Sequence, residues 1–170
     1  MDPSRLVVRR VTEDDAGLWL ALARRIDDET RFMMFEPGER KTTTAEQTAR
    51  FRAMNATDNQ TLFLAEVDGE PIGYLGAMGG TFNRNRHKVM IFIGIRDGFQ
   101  GQGVGTALFK EMEAWARAWG AHRLELTVMP HNAAGLALYK KMGFEIEGTL
   151  RDALRVDGVY VDEITMAKVL

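Results

Sequence analysis

Apolar positions along the chain change their spacing several times, and each change marks an element. Leu6 to Val11 reads as a short strand. Thr12, followed by Glu13, Asp14 and Asp15, supplies a helix N-cap with acids in the first turn. Leu18, Leu22 and Ile26 then recur at helical spacing beside Trp19 and Ala23, which predicts an amphipathic first helix with Trp19 in the core. From Asp27 to Lys41 the period is lost in a charged, Met-rich and aromatic stretch, Arg31-Phe32-Met33-Met34-Phe35, and a loop is predicted. Thr43 and Glu46 have capping-box spacing and open a second helix running to about Met54.

The following part of the chain is of β type. Leu62 to Val67 and Ile72 to Met78 are apolar runs joined by Asp68-Gly69, a pair that favours a tight hairpin turn. After Gly79-Gly80 and a basic loop, Val89 to Ile95 is the most continuously apolar β-type run and therefore the expected central strand. Val104, Leu108, Met112, Trp115 and Trp119 form a helical stripe that stops at Gly120, and a later helix from Asn132 to about Met142 stops at Gly143, glycine being the common residue just past a last turn. Leu124 to Val128 lies between them as a strand. Phe144 to Glu147 and Val159 to Val169 read as closing strands, with Asp157-Gly158 as a turn. The order is strand, two helices, three strands, helix, strand, helix, strands, without linker or internal repeat, so one α/β domain over residues 1–170 is expected.

Length and charge narrow the function. A chain of 170 residues buries about 70% of its unfolded surface in one core. Lys and Arg number 22 against 24 Asp and Glu, and a net charge of -2 gives no long-range attraction to nucleic acid or anionic lipid. The absence of cysteine excludes disulfides, thiol nucleophiles and Cys-type zinc sites. His87, His122 and His131 lack the spacing of a helical metal pair, so no metal is expected. Met1 to Arg10 has no apolar signal core, and no run approaches the ~18 apolar residues that span a bilayer. A cytoplasmic protein with neither nucleic acid nor membrane as partner is the expectation.

The chemistry starts at Gln100-Gly101-Gln102-Gly103-Val104-Gly105, between the expected central strand and the longest helical stripe. Backbone N–H groups at such a junction, together with the positive helix end, bind anions, and alternating glycines allow a pyrophosphate to approach the amides. The same hexamer also suits a glycine-eased corner with no ligand. A dinucleotide fingerprint does not fit, although Glu125 lies at a suitable distance: the third glycine falls one residue early, and the turn follows antiparallel strands. The Gly-Lys-Ser/Thr ending of a nucleotide triphosphatase loop is missing as well.

Gln100, Gly103 and Gly105 match the Arg/Gln-x-x-Gly-x-Gly/Ala signature of the GNAT superfamily of N-acetyltransferases, which the sequence resembles. A second element, Asn132 to Phe144, is similar to the family's Asn-x-x-Ala-x-x-Leu-Tyr-x-Lys-x-Gly-Phe pattern, with Gly135 in place of the Ala. The tail Glu147-Gly148-Thr149-Leu150-Arg151 with Asp162 to Met166 resembles the branch that includes ribosomal-protein N-terminal and polyamine acetyltransferases. The resemblance implies a three-layer αβα fold with a mixed, largely antiparallel sheet of about six to seven strands and about four helices. It implies acetyl-CoA as cosubstrate and direct transfer to a primary amine on a small molecule, amino acid, polyamine or peptide N-terminus, and it leaves a homodimer open. It further implies that the backbone of Ile93, Gly94 and Ile95 holds the pantetheine and the thioester oxygen, with Val128 facing them. Gln100, Gly101, Gln102, Gly103, Val104, Gly105 and Thr106 would give amides to the pyrophosphate, and Asn132 would contact the cofactor chain as well as cap its helix.

Attack on a thioester needs a neutral amine, a polarised carbonyl and a proton for the departing thiolate. Tyr139 is the expected general acid, because a phenol with a pKa of about 10 matches a coenzyme A thiolate in basicity. The general base is not evident. Many similar enzymes carry a Glu in the strand before the glycine turn, whereas Lys88 to Ile95 has no carboxylate; an ordered water is one substitute, and Glu29, Glu36, Glu125 and Asp162 could approach the cleft but read as surface charges. His131 reads as a loop residue beside the Asn132 helix. Arg31 to Phe35 and Phe82 to Arg86 are the segments expected to flank the cleft and choose the amine. The alternative function is a non-catalytic acyl-CoA-binding or sensing module, which the missing strand carboxylate favours and Tyr139 opposes.

Overall fold

The computed structural model describes residues 6–170. Along it run β1 (Leu6–Arg10), α1 (Ala16–Glu29), α2 (Thr44–Asn55), β2 (Gln60–Val67), β3 (Glu70–Gly79), β4 (Lys88–Ile95), α3 (Val104–Ala118), β5 (Arg123–Val128), α4 (Ala133–Lys141), β6 (Glu145–Val156) and β7 (Val159–Val169). The strands form one sheet in the order β1-β2-β3-β4-β5-β7-β6. All neighbours are antiparallel except β4 and β5. Side-chain alternation builds a core on each face. Leu62 and Leu64 of β2 pack with Tyr74 of β3 against α1 and α2, while Phe63 and Ala65 pack with Leu75 against α3 and α4. Three layers with a mixed, mainly antiparallel sheet result, as the sequence predicts. Among the described residues, no helix is long and apolar enough to cross a membrane.

Local chemistry sets the helix starts. At α2 the Glu46 N–H donates to Thr43 Oγ1 and the Thr43 N–H donates to Glu46 Oε2, closing the predicted capping box. Thr12 precedes a single 3₁₀ turn, Glu13–Asp15, that leads into α1. The Asp15 carboxylate accepts the Thr12 N–H at 2.6 Å and both Arg9 Nη atoms at 2.9 and 2.8 Å. Arg9 also donates to Glu66. This turn therefore ties the start of α1 to β1 and β2.

Two predictions need correction. Leu18 is 39% exposed, and the buried side of α1 instead carries Trp19, Leu20, Leu22, Ala23 and Ile26. Steps of four residues drift by about 40° around a helix, so the Leu18-Leu22-Ile26 series leaves the core face at its first member. The expected strand over Phe144 to Glu147 runs from Glu145 to Val156. Its pairing with β7 shifts register twice, and Asp152 takes a left-handed φ of 52°. These irregularities break the alternation that would mark a strand, and most of its side chains are exposed on both faces.

The Arg9 guanidinium holds the Asp15 carboxyl well below its usual value of 3.8, at about 2, with the Thr12 N–H adding to the effect. A depressed carboxyl stabilises the fold above its ordinary pKa, and the contribution is lost as pH falls toward the folded value. Asp15→Asn is expected to cost on the order of 1 kcal/mol at neutral pH, allowing for solvent screening of the partly exposed Arg9. In thermal unfolding, its Tm deficit relative to wild type should close as pH falls from 3.8 to about 2.

Candidate functional site

The parallel ladder between β4 and β5 holds for three residue pairs, Lys88 with Arg123, Val89 with Leu124 and Met90 with Glu125. Beyond Met90, β4 stays paired to β3 as far as Ile95, and β5 stays paired to β7 as far as Val128. The two strands part, and the β5-facing backbone groups of Ile91 to Ile95 have no strand partner. A cavity of about 1470 Å³ opens there. Ile93, Gly94 and Ile95 form one wall, and Thr127, Val128 and Met129 the other.

The glycine turn closes one end. Gly101 and Gly103 have φ of 71° and 89°, a region that side chains other than glycine rarely enter. Gly103 caps α3, and its carbonyl accepts the Ala107 N–H at 2.9 Å. The N–H groups of Val104, Gly105 and Thr106 thus lie in the first turn without an acceptor inside the helix, at its positive end. Gln100, Gly101, Gly103, Gly105 and Thr106 line the cavity, so this end presents first-turn amides to it. Gly105 serves packing as well: a Cβ there would sit 2.6 Å from Leu138 Cδ2. Gln102 and Val104 do not line the cavity. Gln102 Nε2 donates to the Gly98 carbonyl, and Val104 is 1% exposed in the core beneath α3, so only their backbones are left for a ligand.

Asn132 and Tyr139 line the cavity from the α4 side. Asn132 caps α4, its Oδ1 accepting the Gly135 N–H at 2.9 Å. Gly135, the departure from the Ala of the motif, makes room for this cap, since a Cβ would lie 2.8 Å from the Asn132 amide nitrogen. The Tyr139 ring meets Phe109 edge-on at 5.8 Å and Phe144 at 6.3 Å. Its hydroxyl makes no hydrogen bond with any described residue. Burial pushes the phenol up to about 12, above the expected value near 10, because a phenolate is poorly solvated there. Tyr139 therefore stays protonated at neutral pH.

The other end is walled by Phe32, Met33, Met34 and Phe35 from the α1–α2 loop, Phe51 and Met54 from α2, and Phe92 from β4. Arg40 anchors the loop from beneath. Its Nε and Nη2 donate to the Asp27 carboxylate at 2.6 and 3.0 Å, and its guanidinium lies 4.1 Å from the Phe35 ring centre and 5.4 Å from that of Trp19. Across the mouth, Arg31 pairs with Asp157 of the β6–β7 turn, and the Phe32 ring lies 5.3 Å from that of His131. The second predicted segment lies elsewhere: Phe82 is 73% exposed, Arg86 pairs with Asp58, and no residue from Phe82 to Arg86 reaches the cavity.

Of the four carboxylates read as surface charges, Glu29 does line the cavity, accepting the Asp97 N–H at 2.7 Å and so tying α1 to the turn after β4. Arg25 and this N–H hold it below the usual carboxylate range against the opposing effect of burial, the largest single contribution. Glu36, Glu125 and Asp162 do not line it; Glu125 pairs with Lys88 and Arg123, and Asp162 accepts the Asp152 N–H. Sequence reading missed Leu154 and Glu163, which reach the cavity from β6 and β7. The irregular β6–β7 register hides the face they share.

Residues 23–144 match the Acetyltransferase (GNAT) family. The chain belongs to this family. It is 36% identical over 107 residues to the L-amino acid N-acetyltransferase AaaT of Escherichia coli, an alignment covering 62% of this chain and 66% of that protein. The chain spans about half to two thirds of the length of the curated relatives it matches. A GNAT-family acetyltransferase from Streptococcus pneumoniae superposes with a TM-score of 0.93 at 30% identity, covering 97% of this chain and 99% of that one. The yncA acetyltransferase of Salmonella typhimurium, solved with its cofactor acetyl-CoA, shares the fold at a TM-score of 0.86 and 20% identity, with 98% and 94% of the chains covered. If the glycine turn of this family member holds a pyrophosphate, Gly103→Val strains the backbone and crowds the first-turn amides. Acetyl-CoA affinity measured by calorimetry is then expected to fall about tenfold or more.

Proposed function

We propose that this protein is an acetyl-CoA-dependent N-acetyltransferase that moves the acetyl group directly to a primary amine, with residues 1–170 working as one domain. The observation that carries this reading is the parting of β4 from β5, which joins the glycine turn to Tyr139 through a single cavity. The fit to the coenzyme is specific at three places. The glycine turn offers first-turn amides to a pyrophosphate, the edge of Ile93 to Ile95, which has no strand partner, offers backbone groups to an amide-bearing arm, and Tyr139, whose hydroxyl has no hydrogen-bond partner among the described residues, lines the same space.

Acetyl-CoA supplies an activated acyl carbonyl and a thiolate leaving group. The backbone of Ile93 to Ile95 would orient the thioester, and the Gln100 to Thr106 turn, with Asn132 beside it, would hold the phosphate-bearing part. Tyr139, protonated at neutral pH, would give its proton to the sulfur, although burial takes the phenol above the value near 10 that matches the thiolate. The amine enters from the opposite end, past the Phe32–Phe35 loop. The relative named as an L-amino acid N-acetyltransferase puts amino acids first among the acceptors to try, ahead of polyamines and peptide N-termini.

The test is thiol release from acetyl-CoA across such a panel. Release with one class supports the reading and names its acceptor, whereas tight acetyl-CoA binding with no release from any amine returns the protein to the non-catalytic module. Tyr139→Phe is expected to lower turnover by about 10²-fold or more with acetyl-CoA affinity little changed. Unchanged turnover would remove Tyr139 as the acid.

A further inference from the structure

We propose that Glu163 is the proton acceptor for the incoming amine, a role that rests on the acetyl-transfer reading above. An amine held as ammonium must lose one proton before its lone pair can attack. β4 offers no carboxylate. Val89 and Ile91 pack beneath α3, so alternation assigns Met90, Phe92 and Gly94 to the face of α1 and α2.

Among the described residues, three carboxylates line the cavity: Glu29, Asp97 and Glu163. Glu29 is engaged by Arg25 Nε at 2.8 Å and by the Asp97 N–H. Asp97 lies past the end of β4, where its Oδ1 accepts the Gly98 N–H at 3.0 Å. The Glu163 carboxylate makes no hydrogen bond or ion pair with any described residue, and the residue is half-buried. It also lies outside residues 23–144, so the family match says nothing of it.

Its position suits the task. Ile164 and Met166 pack in the core beneath α3, and strand alternation sends Glu163 to the opposite face, where the α1–α2 loop and α2 wall the cavity. Ile164 pairs with Val128, the last residue of β5, so Glu163 stands just past the end of β5, on the stretch of β7 that runs on beyond Ala167, the partner of Glu125 where the β4–β5 ladder ends. Tyr139 reaches the same cavity from the α3–α4 face. With a base on one side of the cavity and an acid on the other, one group can take the proton from the nitrogen that attacks the carbonyl carbon, and the other can protonate the sulfur as the tetrahedral intermediate collapses.

The proton balance closes. Glu163, directly or through one water, takes a proton from the ammonium and passes it to solvent. The nitrogen forms the C–N bond, the C–S bond then breaks, and Tyr139 protonates the sulfur. The second proton to leave nitrogen restores Tyr139, so one proton is released per amide formed. The other charged groups facing the cavity are Arg40, already paired with Asp27, Arg50 of α2 and Lys141 of α4, with His131 touching Phe32 at the mouth.

The test starts from the wild-type protein and the best amine of the panel. In Glu163→Gln, kcat/KM for the amine is expected to fall by about 10²-fold at neutral pH with acetyl-CoA affinity unchanged. The deficit should shrink as pH rises toward the amine's own pKa, where no base is needed, and Glu163→Asp should recover part of it. A Gln variant with wild-type kcat/KM and pH profile overturns the assignment. So does a loss equal at every pH, or one accompanied by weaker acetyl-CoA binding or a lower Tm. A wild type that releases no thiol with any amine overturns the acetyl-transfer reading itself, whereas an active wild type matched by the Gln variant overturns only the role of Glu163.

Discussion

A β-strand that loses its neighbour part-way along must find other partners for its backbone, and the end of the β4–β5 ladder at Met90 imposes that requirement on the middle of this sheet. The opening is held from outside. β4 is paired with β3 from Gly79 opposite Val89 to Gly73 opposite Ile95, and β5 is paired with β7 along its whole length. Neither strand can swing inward without breaking a ladder on its far side. The polar edge is thus kept exposed by the hydrogen bonding of the rest of the sheet, and water or a ligand must satisfy it.

The two ends of the cavity are stabilised by different physics. At the glycine turn the backbone is held by glycine geometry, and side chains such as Val104 and Leu138 set how closely α3 and α4 approach. At the other end, an aromatic and methionine wall hangs on one buried ion pair, Arg40 with Asp27, whose side chains are 9% and 1% exposed. Such a pair adds little net stability because both ions are desolvated, yet losing one partner strands the other. Its use here is geometric: the guanidinium fixes Phe35 and Trp19 on its two flanks and so places the loop. Tyr74, buried beneath the same loop, is driven above the ordinary tyrosine range by desolvation.

What the sequence revealed follows from which constraints are local. Asp68 and Gly69 take left-handed φ of 52° and 79°, and Gly120 and Gly143 take 87° and 86°, as the hairpin and helix-end readings require. The glycine turn and the Asn132 cap were legible because their geometry is set within a few residues. Leu18 was misplaced because spacing alone cannot distinguish a stripe from a drifting series. The long β6 escaped because its register shifts and two exposed faces erase alternation. Glu29 and Glu163 carried no signal, since their positions depend on Asp97 and on the β5–β7 pairing, which only the folded chain brings together. Phe82 to Arg86 misled in the other direction: a basic loop beside the central strand proved to turn away from the opening.

The tie between Arg31 and Asp157 joins residues 126 positions apart, whereas the glycine turn, the open edge of β4 and Tyr139 all fall between residues 91 and 139. A growing chain therefore contains the glycine turn, the open strand edge and Tyr139 well before the wall facing them can be completed. The same separation means that substitutions in the α1–α2 loop or the β6–β7 hairpin can reshape one end of the cavity without touching the contiguous segment that forms the other.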